Sequence, residues 1–257
     1  MKPSKPRRQI EREFGVPVAG EIVAPEQWTR TALKRLPPEG PLSWNALFGR
    51  EAPLVVDLGC GNGRYLISSA VWRPSYDHIG IDILPLVLRY ATRRANQRGL
   101  ANIRFAACDG HSFLTKYVAR GSVAEIHCYH PQPYHGPCDA GRRLLTPAFL
   151  ALVHRSLVAE GLFFVQTDNA GYWQYLQRVV PAFFDFQEQP RPWPDAPKGR
   201  TRREIIALKR GLPVFRAWGK ARPLTADEVE RLVQSLPPPL FDAGPAQRDL
   251  DALELRD

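Results

Sequence analysis

An α/β fold built on a mostly parallel sheet, with helices on both faces, is predicted by three observations. Short apolar runs ending in glycine or aspartate alternate with segments of helical period from Pro53 onward. At 257 residues the chain suits one large core with extensions. Its 44% hydrophobic and 24% charged residues match a soluble globular protein, with no apolar run of the roughly 18 residues that a membrane span needs.

The elements follow in order. "PLVVDLGCG" from Pro53 is a first strand ending in glycines, and "RYLISSAVW" after it has helical spacing. "HIGIDI" and "LPLVLRYATRRANQRG" repeat the pair, and "IRFAACD" makes a third strand. "SVAEIHCYHP" is a fourth, and "TPAFLALVHRSL" is a helix with Thr146 as cap and Pro147 in its first turn. "GLFFVQTD" is a fifth strand; "NAGYWQYLQRVVPAFF" and a proline-rich loop from Arg191 to Pro197 come next. "TRREIIALKRG" reads as a helix opened by a Thr201/Glu204 capping box and closed by Gly211, and "PVFRAWGKA" as a late strand. "TADEVERLVQSL" is a last helix, beyond which prolines and sparse polar residues predict a weakly ordered tail.

Three regions result: a basic, flexible arm over 1–20, a main domain over 21–222, and an acidic extension over 223–257. The arm has no apolar stretch behind its charges and fails as a secretory signal, so a cytoplasmic protein is expected. The net charge is +9. Residues 225–257 hold eight acids against three arginines, a balance of −5, which leaves +14 to the 224 residues before them. Such an excess fits a protein that meets phosphate, and equally a solvated basic surface. His127, Cys128, His130, His135 and Cys138 crowd together, but their spacing matches no usual ligand pattern, so no metal is expected.

"DLGCGNG", Asp57 to Gly63, joins the first strand to the first helix, where backbone N–H groups face the open end of the sheet and glycine lets a ligand approach closely. Gly59, Gly61 and Gly63 do not complete the GxGxxG of a dinucleotide site. Asp82 ends the second strand, where a carboxylate can accept both hydroxyls of a ribose, and Asp109 ends the third. Each acid alone suits a strand-end cap; three at successive strand ends beside glycines make a cofactor crevice. The pattern resembles the first motif of class I S-adenosylmethionine-dependent methyltransferases, which implies a Rossmann-like, seven-stranded sheet and S-adenosylmethionine as cofactor.

From about Leu36 to Ala221 the chain resembles the bacterial tRNA (guanine-N7-)-methyltransferases. "LFGREAPLVVDLGCGNGRYL", "RRLLTPAFL", "TDN" at 167–169 and "TRREIIALKRGLPVFR" carry the resemblance, in family order. It implies methyl transfer to guanine N7 in tRNA, at a variable-loop guanine, by a monomer or homodimer. It also implies cofactor roles for Asp57, Asp82 and Asp109, and guanine or tRNA contact for Asp168 and for Thr201, Arg202, Arg203 and Glu204. Asp168 ends a central strand facing the crevice, but can equally cap the next helix. Thr201 and Glu204 can cap each other as readily as touch a base. Lys198, Arg200, Arg202 and Arg203 gather at one helix start, a good phosphate site to which Arg142 and Arg143 would add.

The departure lies in "HPQPYHGPCDAGRR", where the family shows a Pro-Asp-Pro-Trp core and a basic run: Gln132 replaces the acid, Tyr134 the tryptophan and Gly136 a lysine. Guanine N7 attacks with a lone pair and loses no proton, so no general base is required. Gln132 is expected to align the base, giving a slower or differently tuned enzyme. The alternatives are a non-catalytic tRNA-binding protein of this fold, and a methyltransferase of another RNA or of a small molecule.

Overall fold

The computed structural model describes residues 10–245 and 248–254. The chain opens with a small hairpin, β1 (Arg12–Glu13) and β2 (Val16–Pro17), followed by β3 (Ala32–Leu33) and α1 (Trp44–Phe48). The alternating body comprises β4 (Leu54–Leu58), α2 (Arg64–Trp72), β5 (Asp77–Asp82), α3 (Pro85–Gln97), β6 (Ile103–Ala107), α4 (Gly110–Lys116), β7 (Val123–Tyr129), α5 (Pro147–Ser156) and β8 (Leu157–Thr167). It continues through α6 (Ala170–Val179), β9 (Phe184–Glu188), α7 (Arg202–Lys209) and β10 (Phe215–Ala221) to α8 (Ala226–Ser235) and α9 (Arg248–Glu254).

The main sheet has the order β3-β6-β5-β4-β7-β8-β10-β9. Every pairing from β3 to β8 is parallel, and β10 lies antiparallel to both its neighbours. The seven strands expected are present, with the two-residue β3 as an extra edge. Strand order reverses at β4 and β7, and that switch point opens a crevice beyond the carboxyl ends of the two strands. All five residues of β4 are buried because both faces are covered. Leu54, Val56 and Leu58 enter one apolar cluster and Val55 the other, as alternation along a strand requires.

Some expectations need correction. "NAGYWQYLQRVVPAFF", to which the sequence alone assigns no element, divides in two: Asn169 caps α6 by accepting from the Tyr172 N–H at 2.9 Å, and the chain turns at Pro181 into β9. Residues 10–20 do not form a mobile arm, because two acids dock them. Glu11 pairs with Arg94 and Arg98, and buried Glu13 with Arg64 and Arg94. Residues 1–9 of that arm lie outside the described residues. The tail after α8 is not loose between 236 and 245. Phe241 packs on Tyr172 and Tyr175, and the carbonyls of Pro237, Pro239, Phe241 and Ala243 accept from Tyr175, Arg143 and Asn169. A polar-looking strap is thus tied by its backbone acceptors and one aromatic anchor.

Candidate functional site

At the switch point lies a cavity of about 560 Å³. The β4–α2 turn forms its floor. Gly59 and Gly61 have φ of +78° and +53°, and open space where a side chain would begin, so a ligand can rest on the bare backbone. Gly63 serves the packing instead. It caps α2 with φ +75°, and a methyl group there would meet Ala91 at 2.9 Å and the Phe105 ring. It sets how closely α2 packs and does not line the cavity.

Asp57, Asp82 and Asp109 all line it. Burial of Asp57, joined by the charge of Asp82, pushes its carboxyl up to about 8. Burial also raises Asp82, against the pull of its backbone donors. The Asp82 carboxylate accepts from Gly61 N–H and Leu84 N–H, both at 2.9 Å, which fixes its plane and leaves lone pairs toward the cavity. Asp109 caps α4, accepting from Ser112 N–H at 2.8 Å, so the capping role and the cavity position coexist. A buried acid with a raised affinity for protons, an oriented carboxylate and an open glycine turn fit the ammonium, ribose and chain of S-adenosylmethionine.

The other end of the cavity is assembled from distant segments. Gln132 lies exposed on its rim between Pro131 and Pro133. His130 and Tyr134, on either side, have φ of +51° and +44°, a conformation that non-glycine residues adopt at a cost. A hydrogen-bond chain holds His130 there. Trp193 Nε1–H can only donate, and it donates to Gln166 Oε1 at 2.7 Å. The Gln166 amide therefore donates to His130 Nε2 at 2.8 Å, and His130 Nδ1–H donates to Asp168 Oδ1 at 3.1 Å. His130 is thus a strut with both ring nitrogens engaged.

Asp168 also receives Arg203 Nε at 2.8 Å. Burial alone would raise its carboxyl, but the His130 bond and the Arg203 charge outweigh it and hold Asp168 well below the usual carboxylate range. It stays ionised, caps no helix, and stands behind His130 and Arg203, which themselves line the cavity.

The predicted cationic cluster divides. Arg202 and Arg203 face this cavity with Thr201, whereas Lys198 and Arg200 face a second one. Nor are these arginines a solvated patch: Arg200 pairs with Asp195 and lies over Trp193, Arg202 reaches Glu13 and the Leu253 carbonyl, and Arg203 bridges Asp168 and Asp251. Thr201 caps α7 by accepting from Glu204 N–H at 3.0 Å. Glu204 is fully buried, its Oε1 accepting from Arg216 at 2.6 Å and its Oε2 from Arg200 N–H at 2.7 Å, so it braces α7 on β10 and does not reach a base. Arg143 is likewise buried, giving its N–H groups to the carbonyls of Pro133, Tyr134, Pro239 and Phe241, a strut between the loop and the strap. Arg142 is exposed at the rim, over the Tyr134 ring and 3.1 Å from Asp139.

Sequence reasoning missed His130, Gln166, Trp193 and Asp251 as members of this site. Gln166 carried a signal, being a polar residue inside the apolar run "LFFVQT"; nothing near Asp251 marks it. The histidines of the suspected ligand cluster are engaged otherwise: His127 with Tyr65, Tyr129 and Glu125, and His135 with the Gly244 carbonyl.

Comparison with known proteins places this geometry. Residues 51–217 match a family model described as "Putative methyltransferase". The tRNA (guanine-N(7)-)-methyltransferase of Alkalilimnicola ehrlichii is 28% identical over 222 residues, 85% of this chain and 94% of the relative. That of Alcanivorax borkumensis is 31% identical over 72% of this chain and 76% of the relative. Among solved structures, the 16S rRNA methyltransferase KamB superposes with a TM-score of 0.54 at 16% identity, over 76% of this chain and 99% of that one. The 16S rRNA (adenine(1408)-N(1))-methyltransferase of Catenulisporales acidiphilia gives 0.51 at 15%, over 77% and 99%. At such identities these two likenesses establish the fold alone. With a family model spanning most of its length and relatives of one activity aligned across the same core, the chain belongs to the tRNA (guanine-N(7)-)-methyltransferases, class I enzymes that use S-adenosylmethionine.

Proposed function

We propose that this protein methylates N7 of a guanine in tRNA, with a variable-loop guanine as its target. The observation that carries this is one cavity joining a strand-end acid and glycine floor to a rim of Gln132, Tyr134 and Arg142. When bound, S-adenosylmethionine supplies an electrophilic methyl group on a sulfonium. Asp57 would face its ammonium and Asp82 its ribose hydroxyls, with Asp109 at the adenine edge. Gln132, on a loop stiffened by two prolines, donates to guanine O6 or accepts from a ring N–H, and so aligns N7. Tyr134 offers a ring to stack on the base, and Arg142 a cation for a neighbouring phosphate. No residue has to remove a proton, because N7 carries none, and Asp168 acts by holding His130 and Arg203 in place.

Among the described residues no helix is long and apolar enough to cross a membrane. The proposed setting is the cytoplasm, with the protein acting as monomer or homodimer. Incubation with labelled S-adenosylmethionine and unmodified tRNA, followed by mapping of 7-methylguanosine, tests the reading. Label at one variable-loop guanine is expected. Binding of both cofactor and tRNA without incorporation at enzyme excess would support instead a tRNA binder that lost transfer with its loop carboxylate.

A further inference from the structure

A second cavity, of about 760 Å³, lies on the α2 side of the sheet and shares only Arg64 and Tyr65 with the first. It is lined by the outer turns of α2, by β7 and β8, and by residues 194–200. We propose that it receives one unpaired nucleotide of the tRNA, its base stacked on Trp72 and its phosphate beside Lys198. The inference rests on tRNA being the substrate, and adds a contact away from the methylated guanine.

Among the described residues, the cavity lining opposite β7 and β8 comes from extended and loop segments and from one wall of α2. Over β7 and β8 the chain lays Val16–Ala19 and the proline-rich stretch ending at Pro197, which span the strands without filling the space above them. Trp72, the last residue of α2, stands on its wall with 74% of its surface exposed. That is the highest exposure of any large apolar side chain among the described residues. An uncovered indole beside a cavity of this size is an arrangement for a flat partner, and Phe164, itself stacked on His127 at 4.4 Å, extends the aromatic surface inside.

Charge selects a nucleotide among flat ligands. Four cations line the cavity, Arg64, Arg73, Lys198 and Arg200, against two carboxylates, Glu125 and Asp195. Both acids are already paired, Glu125 with Arg73 and Asp195 with Arg200, each at 2.7 Å, and Arg64 is held by Glu13 at 3.1 Å, so the excess positive charge sits on exposed Lys198 and favours phosphate there. On the floor, Glu125 is held by Arg73 at Oε1 and faces His127 Nε2 at Oε2. The position also suits a polynucleotide: Arg200 faces this cavity while Thr201, Arg202 and Arg203 face the methylation cavity, so one stretch of chain borders both.

The test uses the full chain and an unmodified tRNA transcript labelled for fluorescence anisotropy. Trp72→Ala should weaken tRNA binding by roughly five- to hundredfold, the range that removal of one stacking platform produces. Trp72→Phe should stay within about threefold of the parent, and Lys198→Ala should reduce the salt slope by about one. S-adenosylmethionine affinity and Tm should not change in any of the three, since Trp72 and Lys198 are exposed and touch neither the core nor the cofactor crevice. Ultraviolet crosslinking should place a nucleotide on the peptide containing Trp72. If the parent binds tRNA and Trp72→Ala binds it equally well, the cavity is not a tRNA site and the proposal falls alone. If the parent binds no tRNA, the substrate assignment falls and takes this site with it.

Discussion

The two ends of the methylation cavity are built in opposite ways. The cofactor end draws Asp57, Gly59, Gly61, Asp82 and Asp109 from three neighbouring parallel strands, each at the point where its strand stops. The other end, where we place the guanine, draws Gln132 from a strained loop, Arg203 from a helix start and Asp251 from the last helix, joined by ion pairs and a four-member hydrogen-bond chain. At the first end the backbone makes the site and a few side chains finish it. At the second, side chains hold the site together, so Asp168, Glu204 and Arg143, expected to contact guanine or tRNA, sit as braces. The contrast yields experiments that separate bracing from binding.

Glu204 gives the largest effect. Its carboxylate is the buried partner of Arg216, and removing one member of such a pair leaves an uncompensated charge, costing about 3–5 kcal/mol. Glu204→Ala should therefore lower Tm by roughly 6–20 °C, measured by calorimetry without ligands. A variant with the parental Tm that has lost only methyl transfer would return Glu204 to the guanine pocket and erase the contrast.

The same contrast explains what was legible beforehand. The order of strands and helices from β4 to β8 was readable because each buried strand is a local apolar run and each turn carries its own glycine or aspartate. The three strand-end acids that line the cavity were readable for the same reason. The role of Glu204 was not, because its partner Arg216 lies on another strand and the capping pattern with Thr201 already accounted for both residues. The splitting of Lys198 and Arg200 from Arg202 and Arg203 is a matter of which way successive side chains point across a helix start. β9 hid behind "VVPAFF", whose apolar residues continue the pattern of α6. The docking of residues 10–20 depends on Glu11 and Glu13, two acids inside an arm, 1–20, whose overall charge is basic.

At the cofactor end, pH should act through Asp57. Its carboxyl, lifted by burial to about 8, is largely protonated at pH 6, and a bound cation favours the ionised form. Binding of S-adenosylmethionine should then release a proton below pH 8, and affinity should rise with pH by at most roughly tenfold per unit before levelling off above 8. Asp57→Asn removes the titrating group, so calorimetry should find a flatter profile. The folded state of the apo protein binds this proton more tightly than the unfolded chain does, so stability from this group falls as pH rises from the ordinary aspartate range through 8. Asp57→Asn should accordingly raise the apo Tm at pH 8. A profile as steep as the parent's would show that the acid does not meet the cofactor.

Asp82→Ala probes the same end without titration. Its carboxylate is oriented by Gly61 and Leu84 N–H groups, and a charge-assisted bond to ribose is worth about 1.5–3 kcal/mol. S-adenosylmethionine affinity should fall by more than tenfold while tRNA affinity holds. Equal losses of both would mean that the two ends are one cooperative unit.

Gln132 is the guanine-end counterpart. A neutral hydrogen bond to the base is worth about 0.5–1.5 kcal/mol, so Gln132→Ala should slow single-turnover methyl transfer by roughly three- to tenfold with cofactor affinity unchanged. Gln132→Asp should match or exceed the parent, because a carboxylate better stabilises the positive charge arriving on the purine. An alanine variant as fast as the parent would make the residue a bystander.

The smallest effect is expected at Asp251, where the acidic extension enters the cavity and bonds Arg203 at 2.6 Å. Arg203 is shared with Asp168, so one guanidinium answers two carboxylates, and an incoming phosphate has to compete with Asp251 for it. The Asp251 side chain is 46% exposed, which limits the pair to the range of surface ion pairs, about 0–1 kcal/mol. Asp251→Asn should thus tighten tRNA binding by about threefold at low salt and by less at high salt, where the competing attraction is screened. The single-turnover rate at saturating tRNA should not change. A fall in that rate would reverse the assignment: Asp251 would then be stabilising the cationic purine, and a carboxylate missing from the loop at Gln132 would have been replaced from the far end of the chain.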